Sequence, residues 1–446
     1  VGLHGVVSLF GVADDGPLFG CDRVPELVHV DPARRRVAQP GRMLGHGAHG
    51  KVGVGRSRWG PRRELADDKN SSGPEHLAFR IQRISAGRID PMPLFFHKFR
   101  TALVLGALAL VCSGFADSKP SVRELRDIAN KMVRENQTPG VVALVVQKGK
   151  VIAEARAGVA DLEHRVPMQR NSVHELASVS KQFTAVAVLK LIDQGKLKLD
   201  AKLADFVSKA PEPWSKITVE QLLQHTSGLP DYLGRSPNLT ESSTTDQLLA
   251  RIASLPLDSE PGTKWEYSNS GYMALGHIIS RTSGKSFAAF IQDELLTPAG
   301  MKTARIANPL AIIPNRAEGY SRFGTAWVRE QFVSPALSAL GDGMVMASAE
   351  DLIAWHRYLV AGAGLSSTLR AKAWTRNTLP KAPSYGFGWG IERAGTRPRI
   401  SHNGGWVGTS TMMVSDLEHD IALILLCNAD AVDFSPLESA MRKFLP

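Results

Sequence analysis

The sequence predicts a mixed α/β fold of the α+β type, in which an antiparallel sheet is flanked by helices. Strand-like runs lie near both ends of residues 117–446, at 140–157 and 409–427. The middle of the chain, about 200–380, has helical and loop character. Strands at both ends with helices between them predict one sheet built from both chain ends, with a mostly helical region inserted.

The first elements of this domain are a helix and a hairpin. Apolar residues recur at helical spacing over 122–133, which predicts an amphipathic helix. Two strand-like runs, at 140–147 and 151–157, flank a turn that contains Gly149. This arrangement predicts an antiparallel hairpin.

Capping residues and periodicity predict the inserted helices. A helix over 178–194, closed by Gly195, is apolar over most of its circumference and therefore belongs in a core. Thr218 and Gln221 form a capping box that opens another helix. Further helices are expected over 271–281, over 286–296, and over 349–360 behind the cap Ser348.

The C-terminal part predicts an antiparallel strand pair and a last helix. The runs 409–414 and 421–427 flank a short polar turn. Ser435 as N-cap, Pro436 at the first helical position and Glu438 at the third predict where the final helix begins.

Composition excludes several classes of protein. The 446 residues carry a net charge of +10 and are 43% hydrophobic, which is ordinary for a soluble globular chain and unlike a collagenous or disordered one. The densest basic stretch, 34–63, holds one aromatic residue, Trp59, whereas a nucleic-acid platform needs aromatic side chains among its cations. The sequence therefore predicts no nucleic-acid partner.

Residues 92–116 have the pattern of a secretory signal peptide. Lys98 and Arg100 precede an apolar run, 101–112, and Gly114-Phe115-Ala116 supplies small residues at a cleavage site. The run is too short to span a bilayer, so we expect no stable membrane insertion after cleavage. These features predict a periplasmic or secreted protein, with 1–91 an untranslated or disordered extension and 117–446 the functional domain.

The cysteines predict neither a disulfide nor a metal site. Cys21 and Cys112 lie outside the predicted mature domain, and Cys427 lies in an apolar run, where we expect a small buried hydrophobe. No histidine or cysteine spacing typical of zinc is present, so no metal or cofactor is expected.

One short motif lies at the start of the apolar helix. Ser178 and Lys181, three positions apart, share one helix face. A desolvated lysine has a lowered pKa and can deprotonate a neighbouring hydroxyl, which activates a serine nucleophile. The alternative is a capping serine followed by an exposed lysine, since one such spacing is expected by chance in a chain this long.

Two further motifs follow in the chain. Tyr267-Ser268-Asn269 is the only Tyr-x-Asn, and His402-Asn403-Gly404 is the only His-x-Gly of the predicted domain. Taken singly, each is compatible with a loop tyrosine, a turn asparagine or a glycine at a strand end. Their order together with Ser178 and Lys181 is more informative than any one of them.

With these three motifs in this order, the chain resembles the class C β-lactamase-like serine hydrolases. That family includes cephalosporinases, secreted DD-peptidases, D-aminopeptidases and family VIII esterases. The resemblance runs from Val122 to the C-terminus, and the stretches 222–229, 271–276 and 385–389 also look like the family. It implies a β-lactamase/transpeptidase-like fold.

The resemblance also implies roles for individual residues. Ser178 would be the nucleophile, Lys181 its general base and Tyr267 the proton shuttle to the leaving group. Asn269, His402 and Gly404 would bind substrate. The backbone N–H groups of Ser178 and Gly405 would form the oxyanion hole, where removal of one donor costs about 10²–10³ in rate.

The third motif departs from the cephalosporinases, which have lysine where this chain has His402. A histidine is mostly neutral at pH 7, and this weakens recognition of a β-lactam carboxylate. We therefore expect an exported hydrolase that cleaves a small ester, amide or peptide through an acyl-enzyme on Ser178. The alternatives are a class C-like β-lactamase and a penicillin- or cell-wall-peptide-binding protein without turnover; the oligomeric state is left open. His225 is expected to have a structural or capping role.

Overall fold

A computed structural model describes residues 120–233, 243–308, 311–329 and 341–446. The expected extension (1–91) and signal peptide (92–116) lie outside the described residues, as do Cys21 and Cys112. Within the described part of the chain, no helix is both long and apolar enough to cross a membrane.

The strands, in chain order, are β1 Gly140–Gln147, β2 Lys150–Asp161, β3 Val166–Pro167, β4 His174–Glu175, β5 Arg305–Ile306, β6 Tyr320–Phe323, β7 Ala326–Arg329, β8 Val345–Ala347, β9 Gly390–Arg393, β10 Arg399–Trp406, β11 Thr409–Asp416 and β12 Ile421–Cys427. The α-helices are α1 Val122–Arg134, α2 Lys181–Asp193, α3 Val219–Leu223, α4 Thr245–Ala253, α5 Asn269–Ser283, α6 Phe287–Ile291, α7 Thr297–Ala299, α8 Ala349–Val360, α9 Ser367–Ala373 and α10 Ser435–Arg442. Short 3₁₀ segments occupy Ala177–Ser180, Leu203–Phe206 and Glu212–Lys216, and a π-helical segment, Gln292–Leu296, joins α6 to α7.

A seven-stranded sheet with the order β3-β2-β1-β12-β11-β10-β9 organises the fold. Its centre is the antiparallel pairing of β1 with β12, in which Val141 lies opposite Cys427. The sheet is thus built from both ends of the domain, and the mixed fold predicted from the sequence is confirmed.

Two apolar cores lie on opposite faces of this sheet. Alternate residues of β1 point in opposite directions, so Val142 and Leu144 pack against the helical region, whereas Val141 and Ala143 pack beneath α1 and α10. Because both faces of β1 and β12 are buried, the sequences of these two strands are almost continuously apolar. Cys427 is fully buried on β12, as expected for a small hydrophobe.

The inserted region also contains strands where only helix and loop were predicted. The hairpin β6–β7 and the small sheet β4-β8-β5 lie within or against it. These strands are two to four residues long. Such lengths are too short to give a period-two signal, and pairing with distant partners decides their conformation.

The predicted start of the last helix is wrong by one residue. Phe434 occupies the N-cap, and Ser435 is already helical. The carboxylate of Asp433 accepts the backbone N–H of Ser435 at 3.0 Å, so a group before the helix takes the role predicted for the serine side chain. The caps at Thr218 and Ser348 are confirmed.

Candidate active site

A 3₁₀ turn precedes the apolar helix and carries Ser178. The sequence predicted a single helix from Ser178 onward, but the α-helical segment α2 begins at Lys181. Ala177 has a φ of +47°, a left-handed conformation that is costly for a residue with a side chain. The surrounding structure must therefore hold the turn in place.

Neighbouring elements hold this turn through its backbone. The hydroxyl of Thr411 on β11 donates to the carbonyl of Leu176 at 2.8 Å. The hydroxyl of Ser180 accepts the backbone N–H of Val345 on β8 at 2.9 Å. Because both faces of the turn are tied to strands, Ser178 is fixed relative to the sheet.

Lys181 is fully buried directly beside Ser178. Its Nζ lies 3.1 Å from Ser178 Oγ, 2.9 Å from Asn269 Oδ1 and 2.8 Å from the backbone carbonyl of Asp342. The first two of the three motifs predicted from the sequence therefore meet around one nitrogen.

Burial makes the ammonium of Lys181 a stronger acid than that of an exposed lysine. Desolvation lowers the pKa of Lys181 from 10.5 to about 8, although the charges of Asp342 and Asp231 act in the opposite direction. A measurable fraction of Lys181 is then neutral near physiological pH. A neutral amine 3.1 Å from a hydroxyl can accept its proton.

Tyr267 lies over the same nitrogen. The Nζ of Lys181 is 4.8 Å from the centre of the Tyr267 ring. Burial raises the pKa of the Tyr267 hydroxyl well above its usual value, and a hydrogen bond with Ser178 opposes that rise. The Tyr267 hydroxyl is therefore in reach of Ser178 and protonated at neutral pH.

His225 clamps the segment that carries Tyr267. Its Nδ1 accepts the backbone N–H of Ser268 at 3.1 Å, and its carbonyl accepts the N–H of Glu266 at 2.8 Å. The imidazole also packs on the Tyr267 ring, with the ring centres 4.3 Å apart. These contacts are structural, as the sequence predicted for His225.

His402 is buried and neutral on β10. Its Nδ1 lies 2.6 Å from the carbonyl oxygen of Asn403, which can only accept, so Nδ1 carries the hydrogen. Its Nε2 then accepts the Tyr385 hydroxyl at 2.9 Å. Desolvation, with the nearby charge of Lys181, lowers the pKa of His402 to about 3. His402 therefore offers no positive charge to a substrate.

Gly404 and Gly405 differ sharply in the space around them. A Cβ at Gly404 would collide with the carbonyl of Leu176 and the hydroxyl of Thr411. A Cβ at Gly405 would meet nothing within 4 Å. Gly404 thus allows β10 to pack closely on the turn of Ser178, and Gly405 faces open space.

Three polar residues of this site were not predicted from the sequence. Asp231 accepts hydrogen bonds from Asn269, Asp342 accepts one from the hydroxyl of Tyr232, and Tyr385 bonds His402. In the sequence, Asp231 and Asp342 are single carboxyl groups among apolar residues and glycines, and this pattern could have indicated that they are buried at a site. Among the described residues, no group of three or more His, Cys, Asp or Glu side chains is placed to hold a metal ion.

Comparison with known proteins agrees with this geometry. The pattern of the Beta-lactamase family matches residues 125–444. The chain is 31% identical over 333 residues to penicillin-binding protein 4* of Bacillus subtilis (strain 168), covering 69% of this chain and 72% of that relative. It is 28% identical over 304 residues to the D-aminopeptidase of Brucella anthropi, covering 65% of this chain and 56% of that enzyme.

Solved structures show the same fold. A penicillin-binding protein from Bacillus halodurans superimposes with a TM-score of 0.63 at 22% identity, covering 70% of this chain and 98% of that one. The D-amino acid amidase of Ochrobactrum anthropi SV3 also gives 0.63 at 22% identity, covering 72% and 97%. The chain therefore has the β-lactamase/transpeptidase fold and belongs to the Beta-lactamase family of serine hydrolases.

Proposed function

We propose that this protein is an esterase- or peptidase-type hydrolase, which cleaves a small ester or amide through an acyl-enzyme on Ser178. One observation carries the proposal. Ser178 Oγ lies 3.1 Å from a fully buried lysine whose pKa is lowered to about 8. This pairing activates a hydroxyl that is otherwise a poor nucleophile at neutral pH.

The first half of the reaction forms the acyl-enzyme. Neutral Lys181 takes the proton of Ser178 as Oγ attacks the substrate carbonyl. The negative charge on that carbonyl oxygen is stabilised by the backbone N–H groups of Ser178 and Gly405. The Tyr267 hydroxyl delivers a proton to the leaving alcohol or amine as the bond to the carbonyl carbon breaks, and the ammonium of Lys181 returns a proton to Tyr267.

The second half releases the acid. A water molecule loses a proton to the same Tyr267 and Lys181 groups and attacks the acyl carbonyl. The bond to Ser178 Oγ then breaks, and Oγ regains its proton. The amide of Asn269 binds the acyl side of the substrate through the Nδ2 hydrogen that is not bonded to Asp231, and the backbone of His402 and Gly404 lines the site.

A neutral His402 favours substrates without a carboxylate at that position. The third motif supplies no cation there, whereas an anionic β-lactam needs one to offset its charge. Relatives named as a D-aminopeptidase and as esterase EstB of Burkholderia gladioli, 32% identical over 205 residues, are compatible with neutral ester or amide substrates. A β-lactamase is therefore the second candidate.

A small hydrolysis panel tests this function. A short-chain nitrophenyl ester, a chromogenic cephalosporin and a D-Ala-D-Ala peptide are each assayed with the wild-type protein and with Ser178→Ala. We expect the ester to turn over fastest and Ser178→Ala to lose about 10³-fold or more. Activity that survives in Ser178→Ala refutes the assignment of the nucleophile.

Mass spectrometry separates turnover from binding. A covalent adduct of acyl mass on the peptide that contains Ser178 is expected with the ester in a rapidly quenched sample. A stable penicillin adduct without hydrolysis of any substrate would instead identify a penicillin-binding protein without turnover.

We further propose that the protein is exported and is periplasmic or secreted, on the pattern of residues 92–116. N-terminal sequencing of the native protein is expected to give Asp117 as its first residue. A native protein that still carries residues 92–116 would contradict the proposal of export.

A further inference from the structure

The amide of Asn269 lies between a carboxylate and the proposed catalytic base. Asp231 Oδ2 accepts the backbone N–H of Asn269 at 2.7 Å and its Nδ2 at 3.1 Å. On the other side, Asn269 Oδ1 accepts from Lys181 Nζ at 2.9 Å. We propose that Asp231 is a positioning residue, which holds the Asn269 amide in the one orientation that leaves the lone pair of Lys181 directed at Ser178.

The carboxylate fixes the amide because it can only accept hydrogen bonds. Its Oδ1 is already occupied by the backbone N–H of Leu233 at 2.8 Å, so the side chain of Asp231 is itself held in place. With Nδ2 facing Asp231, the carbonyl oxygen of Asn269 must face Lys181. The flipped amide would set its oxygen against the carboxylate, which is repulsive in a buried site.

The orientation of this amide decides what the lysine can do. A neutral amine has two N–H donors and one lone pair. Asn269 Oδ1 and the backbone carbonyl of Asp342 only accept, so they take both donors at 2.9 and 2.8 Å. The lone pair is then left for the hydroxyl of Ser178 at 3.1 Å. A flipped amide would compete for that lone pair with its own N–H.

Six titratable side chains surround the ammonium of Lys181, but only the two carboxylates among them carry charge at neutral pH. The titratable groups that face its ammonium, from every element packed around it, are Asp231, Asp342, His225, His402, Tyr267 and Tyr272. Burial keeps both histidines neutral by lowering their pKa, and it raises the pKa of both tyrosines. The two carboxylates therefore supply the negative charge that stabilises the ammonium form.

Asp231→Asn tests the positioning role, and the controls below separate it from the effect of charge. The new carboxamide keeps an oxygen for the N–H of Leu233 but loses the acceptor-only character that orients Asn269. This inference rests on the proposed function, in which neutral Lys181 is the base. We expect kcat to fall about 10- to 100-fold with KM changed less than about threefold. We also expect the acid limb of the pH profile to move to lower pH, because a negative charge beside the ammonium is gone.

Two variants serve as controls. Asp342→Asn removes a second carboxylate near Lys181 without touching the Asn269 amide, so the limb should move in the same direction with a smaller loss of kcat. Asp193→Asn makes the same substitution at the far end of α2, where the carboxylate accepts from Ser366, and should leave rate and profile unchanged. Asp231→Glu restores a carboxylate, and its kcat should be about tenfold higher than that of Asp231→Asn or more.

The possible outcomes distinguish failure of the positioning role from failure of the proposed hydrolase function. A wild-type kcat in Asp231→Asn, an equal loss in Asp342→Asn, or no recovery in Asp231→Glu would overturn the positioning role while Ser178→Ala remains inactive. Activity retained in Ser178→Ala would instead overturn the proposed function itself. If Asp231→Asn does not fold, Asp231→Ser takes its place, because it also removes the carboxylate that holds the Asn269 amide, and a wild-type kcat in that variant overturns the positioning role.

Discussion

Burial makes Lys181 able to act as the base that we propose, and its three hydrogen-bonding partners determine where its lone pair points. An exposed lysine at pH 7 is almost entirely charged, whereas desolvation brings the pKa of Lys181 to about 8. The desolvation that disfavours the ammonium form therefore makes the free amine available at neutral pH. This property belongs to one residue and can be tested at one residue.

The rate of ester hydrolysis should follow the titration of Lys181. The active form is the free amine, so kcat/KM is expected to rise with pH and level off above about 8. Initial rates from pH 5 to pH 10 at low substrate concentration would measure this. A midpoint near 6.5 would instead indicate that a histidine with an ordinary pKa controls the rate. His402 is not that histidine, because burial lowers its pKa to about 3.

His225 combines an unusual backbone with a structural hydrogen bond. Its φ is +59°, a region that asparagine tolerates better than most residues, and its Nδ1 accepts the N–H of Ser268. His225→Asn can keep both features, whereas His225→Ala keeps neither. We expect His225→Ala to lose about 2–4 kcal/mol of unfolding free energy and most of kcat, because the segment that carries Tyr267 loosens.

Denaturant unfolding and steady-state kinetics on both variants would measure the difference. His225→Asn should lie clearly closer to the wild-type protein in stability and in kcat. Equal losses in the two variants would argue that the imidazole ring, packed on Tyr267, matters more than the bond to Ser268.

Among the elements, β10 and the 3₁₀ turn of Ser178 depend on one glycine for their close packing. Gly404→Ala would force the new methyl group against Leu176 and Thr411, so either the strand or the turn must move. We expect a loss of about 1–3 kcal/mol or more in stability and a large loss of kcat, because Ser178 moves with the turn.

Gly405→Ala is the matched control for this prediction. It adds the same methyl group one residue later, where space is open, and it keeps the backbone N–H proposed for the oxyanion hole. The midpoint of thermal unfolding should therefore be near that of the wild-type protein. Similar losses in Gly404→Ala and Gly405→Ala would contradict the packing argument.

The elements also show how far the sequence alone can lead. The long runs of β1, β12 and α2 were predictable because burial on both faces, or all round, leaves a continuous apolar pattern. The positive φ of Ala177 and the strand β8 were not, because distant contacts with Thr411, Ser180 and Val345 impose them. The spacing of Ser178 and Lys181 predicted their chemistry, and the family resemblance added Tyr267, whereas Asp231 and Asp342 become neighbours of Lys181 only through folding.

At the scale of the whole molecule, buried neutral histidines link stability to acid. Four described histidines are buried, namely His174, His225, His356 and His402, and desolvation lowers the pKa of each. In the unfolded chain they regain ordinary values near 6.5. The unfolded state therefore binds more protons below that pH, and the stability present above about 6.5 is lost as pH falls.

Unfolding free energy should decline with acid by about 1.4 kcal/mol per pH unit for each such histidine. The raised pKa values of Asp231 and Asp342 act in the opposite direction, whereas the lowered pKa values of Glu154, Glu392 and Asp416 add to the slope at its acid end. Urea unfolding between pH 4 and pH 8 measures it. His174→Leu should flatten the slope by about one proton, and an unchanged slope would exclude His174 as a contributor.

The pairing of β1 with β12 has a consequence for how the chain reaches its native state. The first hairpin emerges early in synthesis, but the strand that covers its edge is made only after nearly the whole domain, since Val141 waits for Cys427. At ordinary rates of translation the delay is on the order of tens of seconds. For that time the apolar edge of β1 can pair with wrong partners, so we expect nascent chains to need a chaperone that covers this edge until β12 is made.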